Sequence, residues 1–178
     1  MPARAVLTQS DIERALTRIA HEILESDLGS APLVLLGIPT RGVLLAERIA
    51  VLLGGLEPGR SSVGALDVTM YRDDLSSQPT RSPQPTRIPD AGIDGATVVL
   101  VDDVLYSGRT IRAALDAIGD LGRPRAVRLA ALVDRGHREL PIRADFVGKN
   151  LPTARTERIF VRLTPVDAED GVWIEEGN

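Results

Sequence analysis

Val98-Val99-Leu100-Val101-Asp102-Asp103-Val104-Leu105-Tyr106-Ser107-Gly108-Arg109-Thr110 is an apolar run that ends in two adjacent carboxylates and a short hydroxyl-bearing loop. Ile111, Ala114, Leu115 and Ile118 follow at helical spacing, so the stretch predicts a buried parallel strand, a loop and the start of a helix. Such a junction aims free backbone N–H groups and the positive end of the helix dipole at one point, which favours a phosphate. Gly108 lets the backbone approach a ligand, Ser107 and Thr110 add hydroxyl donors, and Arg109 adds a charge. The acid pair suits sugar hydroxyls or a magnesium ion carried by the ligand. A buried strand followed by an ordinary turn, with both acids solvated, is the bland alternative.

The stretch resembles the phosphoribosyl-pyrophosphate (PRPP) motif of the type I phosphoribosyltransferases. Within that family it is similar to the branch that regulates pyrimidine operons and is also a uracil phosphoribosyltransferase. The resemblance covers nearly the whole chain. It implies a single α/β domain over residues 1–178: a mainly parallel sheet flanked by helices, a flexible lid loop at about 72–95, and a small hood from about 140–178 with an N-terminal contribution. It also implies that Asp102, Asp103, Val104, Leu105, Tyr106, Ser107, Gly108, Arg109 and Thr110 bind the donor, with Asp102 and Asp103 catalytic and magnesium held chiefly through PRPP. The general base stays open. Asp103 is one candidate, and its role is equally well purely electrostatic.

Composition agrees with a globular domain. The chain has 178 residues, 43% of them hydrophobic, enough for one domain with a substantial core. Aromatics at 3% argue against a base-stacking platform as the main business. There are no cysteines, which excludes disulfides and thiolate metal sites. No apolar run is long enough for a bilayer and no signal-peptide pattern opens the chain, so the expected location is the cytoplasm. A net charge of −4 means that any RNA binding must come from a local patch. Dinucleotide-binding GxGxxG and Walker-type GxxxxGK[ST] motifs are absent.

Elsewhere, Ser10 and Glu13 form a capping-box pattern opening a helix with Ile12, Leu16, Ile19, Ala20, Ile23 and Leu24 on one face. Arg14, Thr17, Arg18 and His21 share another face, which reads equally as solvated surface. Residues 32–38 read as a second strand, leading through Pro39-Thr40-Arg41-Gly42 into a helix stopped by Gly54-Gly55. Residues 64–71 read as a strand, and 72–95 form a proline-dotted segment, either a plain surface loop or a lid. Residues 126–133 read as a buried strand ending at Asp134-Arg135-Gly136-His137. His137 suits a surface position better than catalysis. Ile159, Val161 and Leu163 alternate with Phe160 and Arg162 as a half-covered strand. Val172-Trp173-Ile174 reads as a short edge strand of the hood.

The resemblance assigns these parts. Thr40, Arg41 and Gly42 match the pyrophosphate loop, with Arg41 neutralising leaving-group charge; some relatives carry a lysine where this chain has Pro39. Tyr71-Arg72-Asp73-Asp74 matches the base of the lid, and Arg72 and Arg87 are lid cations. Arg135 and Ile159 are further substrate candidates. Thr17, Arg18 and His21 match an RNA-binding pattern, as do the basic positions Arg138, Arg143 and Lys149. The implied partners are PRPP, uracil, UMP or UTP, and the leader mRNA of a pyrimidine operon, with no membrane and a homo-oligomer of two or more copies. Control runs by attenuation or by translation. Two alternatives remain: an RNA-binding sensor with a vestigial enzyme site, and a phosphoribosyltransferase for another base, such as hypoxanthine or orotate, without an RNA role.

Overall fold

Strand β4, Thr97–Leu105, sits in the middle of a five-stranded parallel sheet of order β3-β2-β4-β5-β6. Its side chains alternate between two cores: Val99 and Val101 pack on one side, Val98 and Leu100 on the other. Strand β2, Leu33–Gly37, does the same with Leu33 and Leu35 against Val34 and Leu36. Burial on both faces explains why these strands are continuous apolar runs. The computed structural model describes residues 3–26, 29–73 and 83–177; part of the expected lid, residues 74–82, lies outside the described residues. Among the described residues no helix is long and apolar enough to cross a membrane.

Helices α1, Gln9–Glu25, and α2, Arg41–Leu56, cover one face, and α3, Arg109–Leu121, covers the other. The α1 capping box is Thr8–Asp11, not Ser10–Glu13. The Thr8 N–H donates to Asp11 Oδ2 at 2.8 Å and Asp11 N–H donates to Thr8 Oγ1 at 3.3 Å, so a strand-end threonine captures the first turn before Ser10 can. Helix α2 runs through Gly54-Gly55. Two glycines cost about 1 kcal/mol each against alanine, while Leu53 is fully buried and holds the last turns down. Pro58 sets the stop, leaving Glu57 extended at φ −136°, ψ 93°.

The strand expected at 64–71 is β3, Ser61–Ala65, followed by a 3₁₀ turn, Thr69–Tyr71. Asp67 imposes the turn, its Oδ1 accepting from the Thr69 N–H at 3.2 Å and hydroxyl at 2.7 Å. Strands β5, Ala126–Asp134, and β6, Phe146–Asn150, complete the parallel sheet. The hood is a three-stranded antiparallel sheet of β1 (Arg4–Leu7), β8 (Gly171–Glu176) and β7 (Glu157–Arg162). Residues 146–150 belong to the parallel sheet, because Phe146 pairs in register with Ala130. Strand β8 is central in the hood because Arg4–Leu7, which lacks a clear sequence pattern, takes the second edge.

Going from β2 to β3 the chain moves one way across the sheet, and β4 and β5 then build the other way. The reversal lies between β2 and β4, whose carboxyl ends flank the crevice where ligands of such sheets collect.

Candidate functional site

At the end of β4 the backbone turns through Tyr106, Ser107 and Gly108 into α3. Gly108 caps the helix in the left-handed region at φ 93°, where a side chain would be strained. The Arg109 N–H is 3.3 Å from Ser107 Oγ, so the loop closes on its own hydroxyl at the helix start. A cavity of about 350 Å³ opens here, lined by Asp102, residues 104–111, Arg72 and Glu139. The expected phosphate loop is therefore concave and lies at a helix N-terminus.

Strand alternation divides the acid pair. Asp102 is buried and lines the cavity on the α3 side. Asp103 is half-buried, does not line that cavity, and lies within electrostatic reach of Arg41. Burial pushes the Asp102 carboxyl well above the usual range, and the neighbouring Asp103 charge adds to the effect, while Arg72 opposes it. Asp102 Oδ1 accepts from the Asp103 N–H at 2.9 Å, and Asp103 Oδ1 accepts from the Val104 N–H at 2.8 Å.

The second loop lies across the switch point. The Pro39–Thr40 peptide is cis. Gly42 at the start of α2 packs so closely on β4 that a Cβ there would be 2.5 Å from the Val101 carbonyl oxygen. Close approach, not a turn, is what requires glycine. Thr40 Oγ1 accepts from Gln84 Nε2 at 3.1 Å. Arg41 pairs with Asp167 of the hood through Nε–Oδ2 (3.0 Å) and Nη2–Oδ1 (2.9 Å).

Several expected ligand-binding cations have partners within the protein. Arg109 donates to Glu139 and Asp73, both at 2.7 Å, so its charge ties the lid base and the 138–142 loop to α3. Arg135 is buried, stacks 4.2 Å from the Tyr106 ring centroid, and donates to Thr153 Oγ1 and to the carbonyls of Ala154 and Glu157. Arg138 donates to the carbonyls of Tyr106 and Ile142, each at 2.8 Å, and to Asp134 at 2.6 Å. Arg138 thus faces the phosphate loop rather than open surface. Arg87 bridges Ala65 through its backbone, and its side chain is 4.0 Å from Glu47. Ile159 packs in the hood against the α1-side core, away from the cavity. His137 lies at φ 64° beside Tyr106, with Nε2 against the Thr153 carbonyl. It is a loop former.

Asp73, Glu139 and Asp167 escaped the sequence reading as site residues. Asp73 lies within the lid-base pattern. Asp167 meets Arg41 across 126 residues, a distance for which no local signal exists.

A second group lies on α1. Thr17, Arg18 and His21 are exposed and line a shallow surface hollow with Arg14. Arg18 donates to the Val147 and Gly148 carbonyls at 3.0 and 2.6 Å, which places this face against β6 next to exposed Lys149. Arg143 is exposed in the connection into β6.

The phosphoribosyl transferase domain family model matches residues 3–167. "Bifunctional protein PyrR" of Leifsonia xyli is 70% identical over 182 residues, covering 99% of both chains. The protein of the same name from Streptomyces coelicolor is 63% identical, covering 97% of this chain and 89% of its own. The chain belongs to the PyrR family of phosphoribosyltransferases. The fold agrees: hypoxanthine phosphoribosyltransferase from Trypanosoma cruzi superimposes with a TM-score of 0.71 at 20% identity, over 94% of this chain and 92% of that one. A comparable enzyme from Staphylococcus aureus gives 0.66 at 21% identity, over 84% and 77%. In this chain the loop after β4 and Asp102 line the cavity at the end of β4, and Arg41, at the start of α2 after β2, lies within electrostatic reach of Asp103. Among the described residues there is no cluster of three or more metal-ligating side chains.

Proposed function

We propose that this protein transfers the phosphoribosyl group of PRPP to uracil, giving UMP and pyrophosphate, and that it binds pyrimidine-operon leader RNA under control of the bound nucleotide. The observation that carries the enzymatic reading is the convergence of three features at the switch point: the phosphate-shaped loop 106–110, the divided acid pair, and Arg41. The loop N–H groups, with Ser107 and Thr110, hold the 5′-phosphate. Binding energy far from the reacting bond thereby fixes its orientation.

In the reaction a ring nitrogen of uracil gives up its proton to solvent and forms a bond to the anomeric carbon as the bond to pyrophosphate breaks, and the leaving group carries away the electron pair. Positive charge grows on the ribose and negative charge on pyrophosphate. Asp103 and Asp102 engage the ribose hydroxyls and stabilise the former, while Arg41 stabilises the latter. Magnesium fits this donor set: Asp102 and Asp103 would support it beside the donor's oxygens, and it supplies charge neutralisation on the leaving group. The acceptor pyrimidine suits the cavity of about 360 Å³ at the ends of β5 and β6, lined by residues 134–137 and 150–153. Arg135 acts there from beneath, holding Tyr106 and the 153–157 segment in place.

Thr17, His21, Arg143 and Lys149 present the RNA face, and Arg18 ties that face together. Incubation with PRPP, magnesium and, in turn, uracil, hypoxanthine and orotate tests the enzymatic reading. UMP from uracil and no product from the other two is expected. Absence of UMP overturns it.

A further inference from the structure

The hood loop 163–170, between β7 and β8, is pinned to α2 at two points seven residues apart on the helix. Arg48 donates to Asp170 at 2.5 and 3.1 Å and to the Thr164 carbonyl at 2.9 Å. Arg41 donates to Asp167 as described. Both carboxylates are also fixed by their own loop. The Leu163 N–H donates to Asp167 Oδ2 at 2.7 Å, and the Thr164 N–H donates to Asp170 Oδ1 at 2.7 Å. The two anchors are alike in chemistry, but only one reaches the crevice between β2 and β4.

We propose that Asp167 is a positioning residue for phosphoribosyl transfer, holding the Arg41 guanidinium by its Nε–Nη2 edge so that the Nη1 edge faces the donor's pyrophosphate. This rests on the reading of Arg41 as the leaving-group cation. A guanidinium has five N–H donors in a rigid fork. Asp167 engages Nε and one Nη2 proton, and among the described residues Nη1 donates to no protein group. A flexible arginine would otherwise lose rotamer freedom each time a donor bound. A carboxylate locked by its own backbone has already ordered it. The hydrogen bond from Arg41 holds the Asp167 carboxyl below the usual range, so it stays charged at working pH. The hood thus becomes part of the leaving-group site.

The test is steady-state kinetics on the full chain with PRPP varied at saturating uracil, for wild type, Asp167→Asn, Asp167→Glu and Asp170→Asn. Asp170→Asn loosens the same loop through Arg48 without touching Arg41. Asp167→Asn is expected to lower kcat/KM for PRPP by about ten- to a hundredfold, the weight of one hydrogen bond to a charged group. The KM for uracil should stay within about twofold, with Asp170→Asn losing less than about threefold and Asp167→Glu partly restoring activity. Equal losses in Asp167→Asn and Asp170→Asn would reduce Asp167 to a loop anchor. A lower KM for PRPP in Asp167→Asn would make it a competitor of pyrophosphate. Either result overturns the proposal. Titration of wild type and Asp167→Asn with PRPP and magnesium decides it without turnover, since unchanged or tighter binding in the variant also refutes it. An inactive wild type, by contrast, would refute the enzymatic reading itself.

Discussion

Arg138 Nη1 donates to the Tyr106 carbonyl at 2.8 Å, so a residue the sequence assigns to an RNA face holds the backbone of the phosphate loop. The same guanidinium ties in Asp134 at the end of β5, and Glu139 and Leu140 donate their N–H groups to the Ser107 carbonyl at 2.9 and 3.2 Å. Arg138→Ala is therefore expected to lower kcat/KM for PRPP about tenfold or more by losing charge-assisted hydrogen bonds that shape the loop. Kinetics of the purified variant measure this, and unchanged turnover would return Arg138 to a surface role.

Lys149→Ala should behave differently. Lys149 is exposed on β6, two strands from β4 in the sheet order, and lines neither cavity. UMP synthesis is expected to stay at wild-type level, while leader-RNA affinity falls and the slope of log K against log salt shrinks by about one. Filter binding across salt concentrations reads both. Arg18→Ala should weaken RNA binding and also lower the melting temperature, because it removes the hydrogen bonds joining α1 to the β6 carbonyls.

Asp102 bears on stability with the opposite sign from a paired carboxylate. Its pKa is raised by burial in the folded chain, so its own contribution to stability is full below the unfolded value and is lost as pH rises through the folded value. Asp102→Asn removes that cost. The variant should melt above wild type at pH 7, with the difference vanishing as the pH is lowered, while phosphoribosyl transfer is lost. For a domain of this size each kcal/mol corresponds to about 2–4 °C. Calorimetry at several pH values checks the crossover.

Gly42→Ala places a methyl 2.5 Å from the Val101 carbonyl oxygen, a backbone atom that cannot rotate away. Destabilisation of about 1–3 kcal/mol or more is expected, with loss of activity as α2 shifts and carries Arg41 with it. Denaturant unfolding measures the first effect and turnover the second.

The parallel core and the strand–loop–helix junction after it were legible because both are local. Val98 to Leu100 is an apolar run with its ligand loop attached, and Gly108 marks the left-handed cap. Boundaries set by competition were not: Thr8 captures α1 ahead of Ser10, and a buried Leu53 carries α2 across two glycines to Pro58. Side-chain roles fared worst among the arginines. Nearly all the basic charge of this chain is arginine, and a sequence cannot show which forks are already spent on carbonyls, as with Arg135 and Arg138, or on carboxylates from distant segments, as with Arg41 and Asp167.

In the proposed function, one pocket serves both catalysis and regulation. Binding of the pyrimidine leader transcript, measured with and without UMP at fixed salt, tests it most directly. UMP is expected to tighten binding, and Asp103→Asn to weaken that response. An RNA affinity that UMP leaves unchanged would contradict it.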